Sequence, residues 1–154
     1  PFFLYNCSFA LGKERGDLIK PLNIKSKFWH LLILPHIKVL TKEVYFHLDR
    51  IQSKSPELTK EKPHVKMLIK GLLDKNFTLI EKNIYNRLEK ISFLLYPELN
   101  KIKTLLNRKG LKNIFMSGSG PAMFSFFSSR KEAECFKTHL GNHRRFKVVL
   151  VRTI

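Results

Sequence analysis

The stretch MSGSGPAMF, residues 116–124, limits this chain's folding options more than any other part of it. Aromatic and apolar runs at residues 113–117 and 122–128 predict two strands, and the SGSGP between them is long enough only for a tight turn. An antiparallel hairpin is therefore built in, which excludes an all-helical fold. Directly afterwards, Ser129 and Glu132 have the spacing of a capping box and open a helix with Ala133, Phe136 and Leu140 on one face and Gly141 as its stop. Residues 146–151 then predict a last strand.

Upstream, residues 28–34 form a short aromatic and branched run closed by Pro35, too brief for an amphipathic helix and suited to a buried strand. Thr41 is placed to cap a helix whose Val44, Leu48 and Ile51 make one apolar stripe. Residues 54–63 are polar and hold two prolines, which predicts a surface loop, and Pro63 suits the first position of a helix carrying Val65, Leu68, Ile69 and Leu72. A further continuous helix is expected through Ile80, Ile84, Leu88, Ile91 and Leu95. After a break at Pro97, Leu99, Ile102, Leu105 and Leu106 continue to Gly110. Near the start, Gly12 and Gly16 in ALGKERGD bracket charged residues and predict a hairpin. The order strand, helices, strand, strand, helix, strand is an α+β, ferredoxin-like βαββαβ sandwich with inserted helices, covering residues 26–154 and preceded by a hairpin segment over residues 1–25.

With 154 residues the chain can form one domain with a core, and not the two-domain build of many enzymes. Its 29 Lys and Arg against 12 Asp and Glu give +17, which favours anionic partners such as nucleotides, nucleic acid or lipid head groups. Cys7 and Cys135 stand far apart without metal-ligand spacing, so neither a disulfide framework nor a zinc site is indicated, and a reducing cytoplasm is expected. The most apolar run, FWHLLILP, is far short of a membrane span. The chain opens on PFFLY without a methionine or a leader, and a preceding segment is expected.

Ser117, Gly118, Ser119 and Gly120 are the strongest candidates for chemistry. Glycines permit positive φ and close approach of backbone N–H groups to an anion, and serine hydroxyls add donors, so the loop can form a phosphate-binding nest. The same residues also suit a plain hairpin turn, and composition does not choose between the two. Neither a GxxxxGK[ST] loop nor a GxGxxG fingerprint is present. The histidines have no carboxylate or cysteine at metal spacing, and HRRFK at residues 143–147 reads as a solvated strand entrance.

The MSGSGP loop, preceded by YPEL at residues 96–99 and followed by the SSRKEAE helix, resembles the third conserved motif of the GHMP small-molecule kinases. One branch of that family typically reads DVPFF, a G-x-G-x-G-E/D hairpin, a strand ending in proline, an S/T-x-E-A-Y helix, N-D-L-E, YPEI and MSGSGPTVF. Here PFF, ALGKERGD, TKEVY at residues 41–45, NIYN at residues 83–86, YPEL and MSGSGPAMF follow in that order. Glu14 stands where the branch has its second hairpin glycine, and NIYN keeps only Asn83 of the N-D-L-E segment.

That resemblance implies a GHMP kinase C-terminal domain, with residues 1–25 ending an N-terminal kinase domain. It implies transfer of the γ-phosphate of ATP, with Mg²⁺, to a hydroxyl of 4-diphosphocytidyl-2-C-methyl-D-erythritol in non-mevalonate isoprenoid biosynthesis. The family's ATP loop, catalytic lysine and catalytic aspartate belong to the N-terminal lobe. The aspartate is expected two residues before Pro1, so this chain should be inactive alone and should hold no metal ligand. Ser117, Gly118, Ser119 and Gly120 would line the phosphate end of the cleft, and Tyr45 would stack on the cytosine. Two alternatives are a GHMP kinase of the homoserine or mevalonate type and a basic ferredoxin-like module for single-stranded RNA. Against the second, AMFSFFSS carries no basic residue and the lysines are dispersed, so no specific nucleic-acid or membrane partner is expected.

Overall fold

Leu31 and Ile33 are fully buried along Trp29–Pro35, while His30, Leu32 and Leu34 next to them are half-exposed, the period of two that a strand shows when one face meets a core. The computed structural model describes residues 7–14, 18–54 and 64–153. It contains β1 (Ala10–Lys13), β2 (Leu18–Pro21), β3 (Trp29–Pro35), α1 (Thr41–Lys54), α2 (Val65–Asp74) and α3 (Phe77–Asn83). These are followed by α4 (Arg87–Leu95), α5 (Pro97–Arg108), β4 (Phe115–Met116), β5 (Met123–Phe127), α6 (Arg130–Leu140) and β6 (Phe146–Arg152). β1 and β2 pair as a separate hairpin, and the other strands form one sheet in the order β4-β5-β3-β6, antiparallel at every step. This is the expected ferredoxin-like plan with helices inserted after its first strand.

The sheet has two differently covered faces, because successive side chains on a strand point to opposite sides. Leu31, Ile33, Met123 and Phe127 meet Val44 and Leu48 of α1, Leu88 and Ile91 of α4, Leu99, Ile102 and Leu106 of α5, and Leu140 of α6. On the other side Phe28 and Phe126 pack with Ile80, Phe77, Leu68 and Leu72, so α2 and α3 shield a second, aromatic cluster. Leu99, Ile102 and Leu106 are essentially without solvent contact, and cutting one back to alanine would cost about 2–5 kcal/mol.

Several local expectations change. The helix expected through residues 80–95 is two helices: Ile84 is extended at φ −70° and ψ 124°, and Asn86 caps α4 by accepting from the Leu88 N–H at 3.0 Å. The spacing of four survives the break because Ile84 packs into the aromatic cluster and Leu88 into the main core. Thr41, expected as the cap of α1, is its first residue; the amides of Glu43 and Val44 bond instead to the Leu40 carbonyl. The strand expected over residues 113–117 shortens to Phe115–Met116, because Asn113 adopts φ 57°, which a strand excludes. Ser129 accepts from the Glu132 amide at 3.2 Å as a cap should, but the Glu132 carboxylate takes its hydrogen bond from Ser128, so only half of the capping box forms. Lys54, expected in the loop, ends α1. The rest of that loop, Pro63, Gly16 and the PFF of residues 1–3 lie outside the described residues.

Glu14 adopts φ 56°, the left-handed region that costs an ordinary residue roughly 1–2 kcal/mol. The hairpin thus has a glycine-favouring backbone at the position where the resemblance implies a glycine.

Candidate functional site

The turn between β4 and β5 closes on itself first. The Ser117 amide donates to the Ala122 carbonyl at 2.9 Å, the Gly120 amide donates to the Ser117 carbonyl at 3.0 Å, and the Gly120–Pro121 peptide is cis. Gly118 has φ +56° and Gly120 φ +84°. A Cβ on Gly120 would stand 2.9 Å from the Met116 sulfur and 3.7 Å from a Leu99 methyl, whereas one on Gly118 would meet nothing within 4 Å. Gly120 is needed for packing against the YPEL segment, and Gly118 faces open space.

Four side chains from outside the hairpin then fix the loop. The Asn86 amide donates to the carbonyls of Met116 and Gly118, both at 2.8 Å, while its oxygen caps α4. The Glu89 carboxylate accepts from the Met116 amide at 3.0 Å and pairs with the Lys103 ammonium at 2.6 Å. Ser92, with no solvent contact, donates to the Ser119 carbonyl at 2.9 Å. The hydroxyls of Thr41 and Ser119 share a hydrogen bond of 2.8 Å. Tyr96 of YPEL secures the start of α1 by accepting from the Leu40 amide at 3.1 Å and donating to Glu43 at 2.8 Å. The Leu40 bond pulls the phenol pKa down, but the hydrogen bond to Glu43, desolvation and the Glu43 charge together outweigh it and leave it raised.

These anchors decide which donors stay available. The carbonyls of residues 116–119 are all engaged by Asn86, Gly120 or Ser92. In a planar trans peptide the N–H points opposite to the C=O, so the Ser119 N–H faces away from Asn86. Among the described residues, the N–H groups of Gly118 and Ser119 and the Ser117 hydroxyl have no protein acceptor, and Ser117 and Gly118 are exposed. Two adjacent unpaired N–H groups with a hydroxyl beside them, over a surface with room for a ligand, can take an oxyanion.

Of Ser117, Gly118, Ser119 and Gly120, the Gly120 amide and the Ser119 hydroxyl are already committed within the protein. Tyr45 is 51% exposed and not a core residue; it follows Thr41 by one turn on the same side of α1, the side that reaches the loop. Asn83, singled out by its resemblance to the N-D-L-E segment, bonds only to its own helix at the Leu79 carbonyl. Of the four side chains that fix the loop, Asn86, Glu89 and Ser92 were passed over by the sequence reading. NRLE at residues 86–89 keeps three of the four letters of N-D-L-E, with Arg87 in place of the aspartate, and was the signal that could have found Asn86 and Glu89. The described residues contain no group of three or more His, Cys, Asp or Glu able to hold a metal, and no described helix is long and apolar enough to cross a membrane.

Residues 68–143 match the family model described as GHMP kinases C terminal. The chain is 34% identical over 136 residues to the 4-diphosphocytidyl-2-C-methyl-D-erythritol kinase of Thermodesulfovibrio yellowstonii, an alignment covering 87% of this chain and 46% of that protein. It is similar to a crystal structure of 4-(cytidine 5'-diphospho)-2C-methyl-D-erythritol kinase, with a TM-score of 0.74 and 26% identity over 97% of this chain and 52% of that one. Homoserine kinase from Cytophaga hutchinsonii gives a TM-score of 0.62 at 19% identity, over 94% of this chain and 47% of that one, a likeness of fold alone. The chain spans about half the length of the curated relatives it matches.

Proposed function

We propose that this chain, which carries the GHMP kinase C-terminal domain, forms the C-terminal part of an ATP-dependent kinase that phosphorylates a hydroxyl of 4-diphosphocytidyl-2-C-methyl-D-erythritol in non-mevalonate isoprenoid biosynthesis. Residues 26–154 would be the C-terminal domain, and the β1–β2 hairpin the end of an N-terminal lobe that brings the base, the catalytic lysine and the ATP loop. One observation carries the reading: TKEVY, NRLE, YPEL and MSGSGP, scattered over residues 41–121, meet at a single loop and leave its outward donors unpaired.

ATP supplies the transferred γ-phosphoryl group, and this chain's part is to position it. The N–H groups of Gly118 and Ser119 and the Ser117 hydroxyl donate to phosphate oxygens, lowering the cost of the charge on the transferring group. The anchors on Asn86, Glu89 and Ser92 keep those donors aimed without reorganisation. Tyr45, exposed on the α1 side facing the loop, offers a ring for the cytosine. Mg²⁺ would accompany the ATP phosphates, with its protein ligands expected from the N-terminal lobe. The fit to phosphate is good on the geometry, and a cytoplasmic setting suits a nucleotide-dependent step.

The RNA-binding alternative is disfavoured by the sheet itself. Phe126 is stacked on Phe77 and on Phe115, with centroids 5.5 and 5.9 Å apart, so the aromatics that would serve as base platforms are covered by one another and by α3. The deciding experiment is a coupled ADP-release assay on a protein joining this chain to its N-terminal lobe, with the diphosphocytidyl substrate, homoserine and mevalonate as competing acceptors. Turnover confined to the first acceptor is expected, and Tyr45→Ala should raise KM for it more than it lowers kcat. Turnover with homoserine or mevalonate alone sinks the assignment.

A further inference from the structure

Between α1 and α4 lies a pocket of about 300 Å³ that shares only Asn86 with the loop's anchors. Leu48, Ile51 and Ile91 form its apolar walls, and Leu94 stands at its lip with 67% of its surface exposed. Arg87 lines the same space, and its Nε is buried with no hydrogen-bond partner. Buried polar groups are nearly always satisfied, and an orphaned guanidinium nitrogen in an apolar pocket is a costly arrangement unless something fills the need. Among the described residues, no aspartate or glutamate lines the pocket, and Lys90 is also part of the lining.

We infer that this pocket binds a small organic anion, a carboxylate or phosphate monoester carried on a short apolar body. The anionic head accepts from the Arg87 guanidinium, supplying the missing acceptor, and the body lies against Leu48, Ile51, Ile91 and Leu94. Guanidinium pairs well with either oxyanion, because its planar donors match both geometries. Both halves of the ligand are required: an inorganic anion leaves the apolar walls wet, and a neutral alkyl chain leaves Nε unpaired. The site stands apart from the kinase reading and does not depend on it.

The test is a titration of the ¹⁵N-labelled chain with octanoate and with octyl phosphate, using octanol and inorganic phosphate as controls and following the amides of Leu48, Ile51, Arg87 and Leu94. At least one of the two alkyl anions should saturate with a Kd below about 10 mM, and each control should bind at least about tenfold more weakly, octanol because it loses the charge-assisted hydrogen bond and inorganic phosphate because it loses the apolar contact. Arg87→Met should weaken the anion about tenfold or more while leaving octanol unchanged. Leu94→Glu, at an exposed position that does not endanger folding, should weaken the anion by repulsion and decides the matter if Arg87→Met does not fold. Failure of both alkyl anions to saturate overturns the inference. So does octanol binding as tightly as the anions, or a folded variant that binds them like the unmodified chain.

Discussion

Replacing Asn86 separates two jobs that its side chain performs at once. Its oxygen caps α4 at the Leu88 amide, and its nitrogen holds the Met116 and Gly118 carbonyls, each at 2.8 Å. In Asn86→Ala the cap is lost, at about 1 kcal/mol, together with two hydrogen bonds at about 1 kcal/mol each, so about 2–3 kcal/mol should disappear. For a chain of this length that is a drop in Tm of roughly 5–12 °C. Asn86→Asp is the informative partner. Aspartate caps a helix as well as asparagine does, yet it has no N–H to give and would set a carboxylate against two carbonyl oxygens. It should be destabilised at least as much as the alanine variant, and the amides of Gly118 and Ser119 should exchange faster with solvent in both. Thermal unfolding by circular dichroism and amide exchange read the two effects. An Asn86→Asp variant with a Tm within a degree of the parent would show that the residue is only a cap and that the loop does not depend on it.

Gly120→Ala puts a Cβ 2.9 Å from the Met116 sulfur at φ +84°, so strain and overpacking together should cost about 2–5 kcal/mol, whereas Gly118→Ala, with nothing within 4 Å, should cost only the backbone strain of about 1–2 kcal/mol; equal Tm values for the two would refute the packing argument. Glu14→Gly removes a left-handed glutamate and should be neutral to stabilising by up to about 1 kcal/mol, the relief of strain being offset by the looser unfolded chain, and a clear loss of Tm would count against it. Burial lowers the pKa of His30, so the fold prefers the neutral ring: its contribution is complete above the unfolded-state pKa and is lost as pH falls through that value toward the folded one. Tm should therefore fall more steeply below about pH 6.5 in the parent chain than in His30→Leu, and parallel pH profiles would show that the ring is not desolvated.

The sheet and its main helices were legible because each shows its own period: two along residues 29–35, three and four along α1 and α5. The α3–α4 break was hidden for a physical reason. Ile80, Ile84, Leu88 and Ile91 keep helical spacing through an extended segment, since two different clusters take them up in turn. Composition could place Ser117, Gly118, Ser119 and Gly120 in a loop with a purpose, but not say which amides remain free, because Asn86 and Ser92 engage its carbonyls and Glu89 takes the Met116 N–H, all from α4 and its cap. Thr41 illustrates the same limit. Its position suited a helix cap, and only the packing of α1 against the hairpin shows that its hydroxyl goes to Ser119 instead. Arg87 carried no signal of its own, since an arginine between a cap residue and a leucine is ordinary until the cavity around it is seen.

The anchors of the glycine loop also set an order of events for the folding chain. Ser119 is tied to residues 78 and 27 positions away, and Gly118 to one 32 positions away, so the hairpin's own short-range contacts do not suffice to shape it. Long-range closures are entropically expensive and come late, once the helices that carry them have docked. The unpaired N–H groups of Gly118 and Ser119, the proposed oxyanion donors, are therefore expected to be assembled at the end of folding, and a partly folded chain with a native-looking sheet would present no aimed N–H pair. Under the proposed function, phosphate affinity would then serve as a gauge of complete folding that circular dichroism, dominated by the helices, would miss.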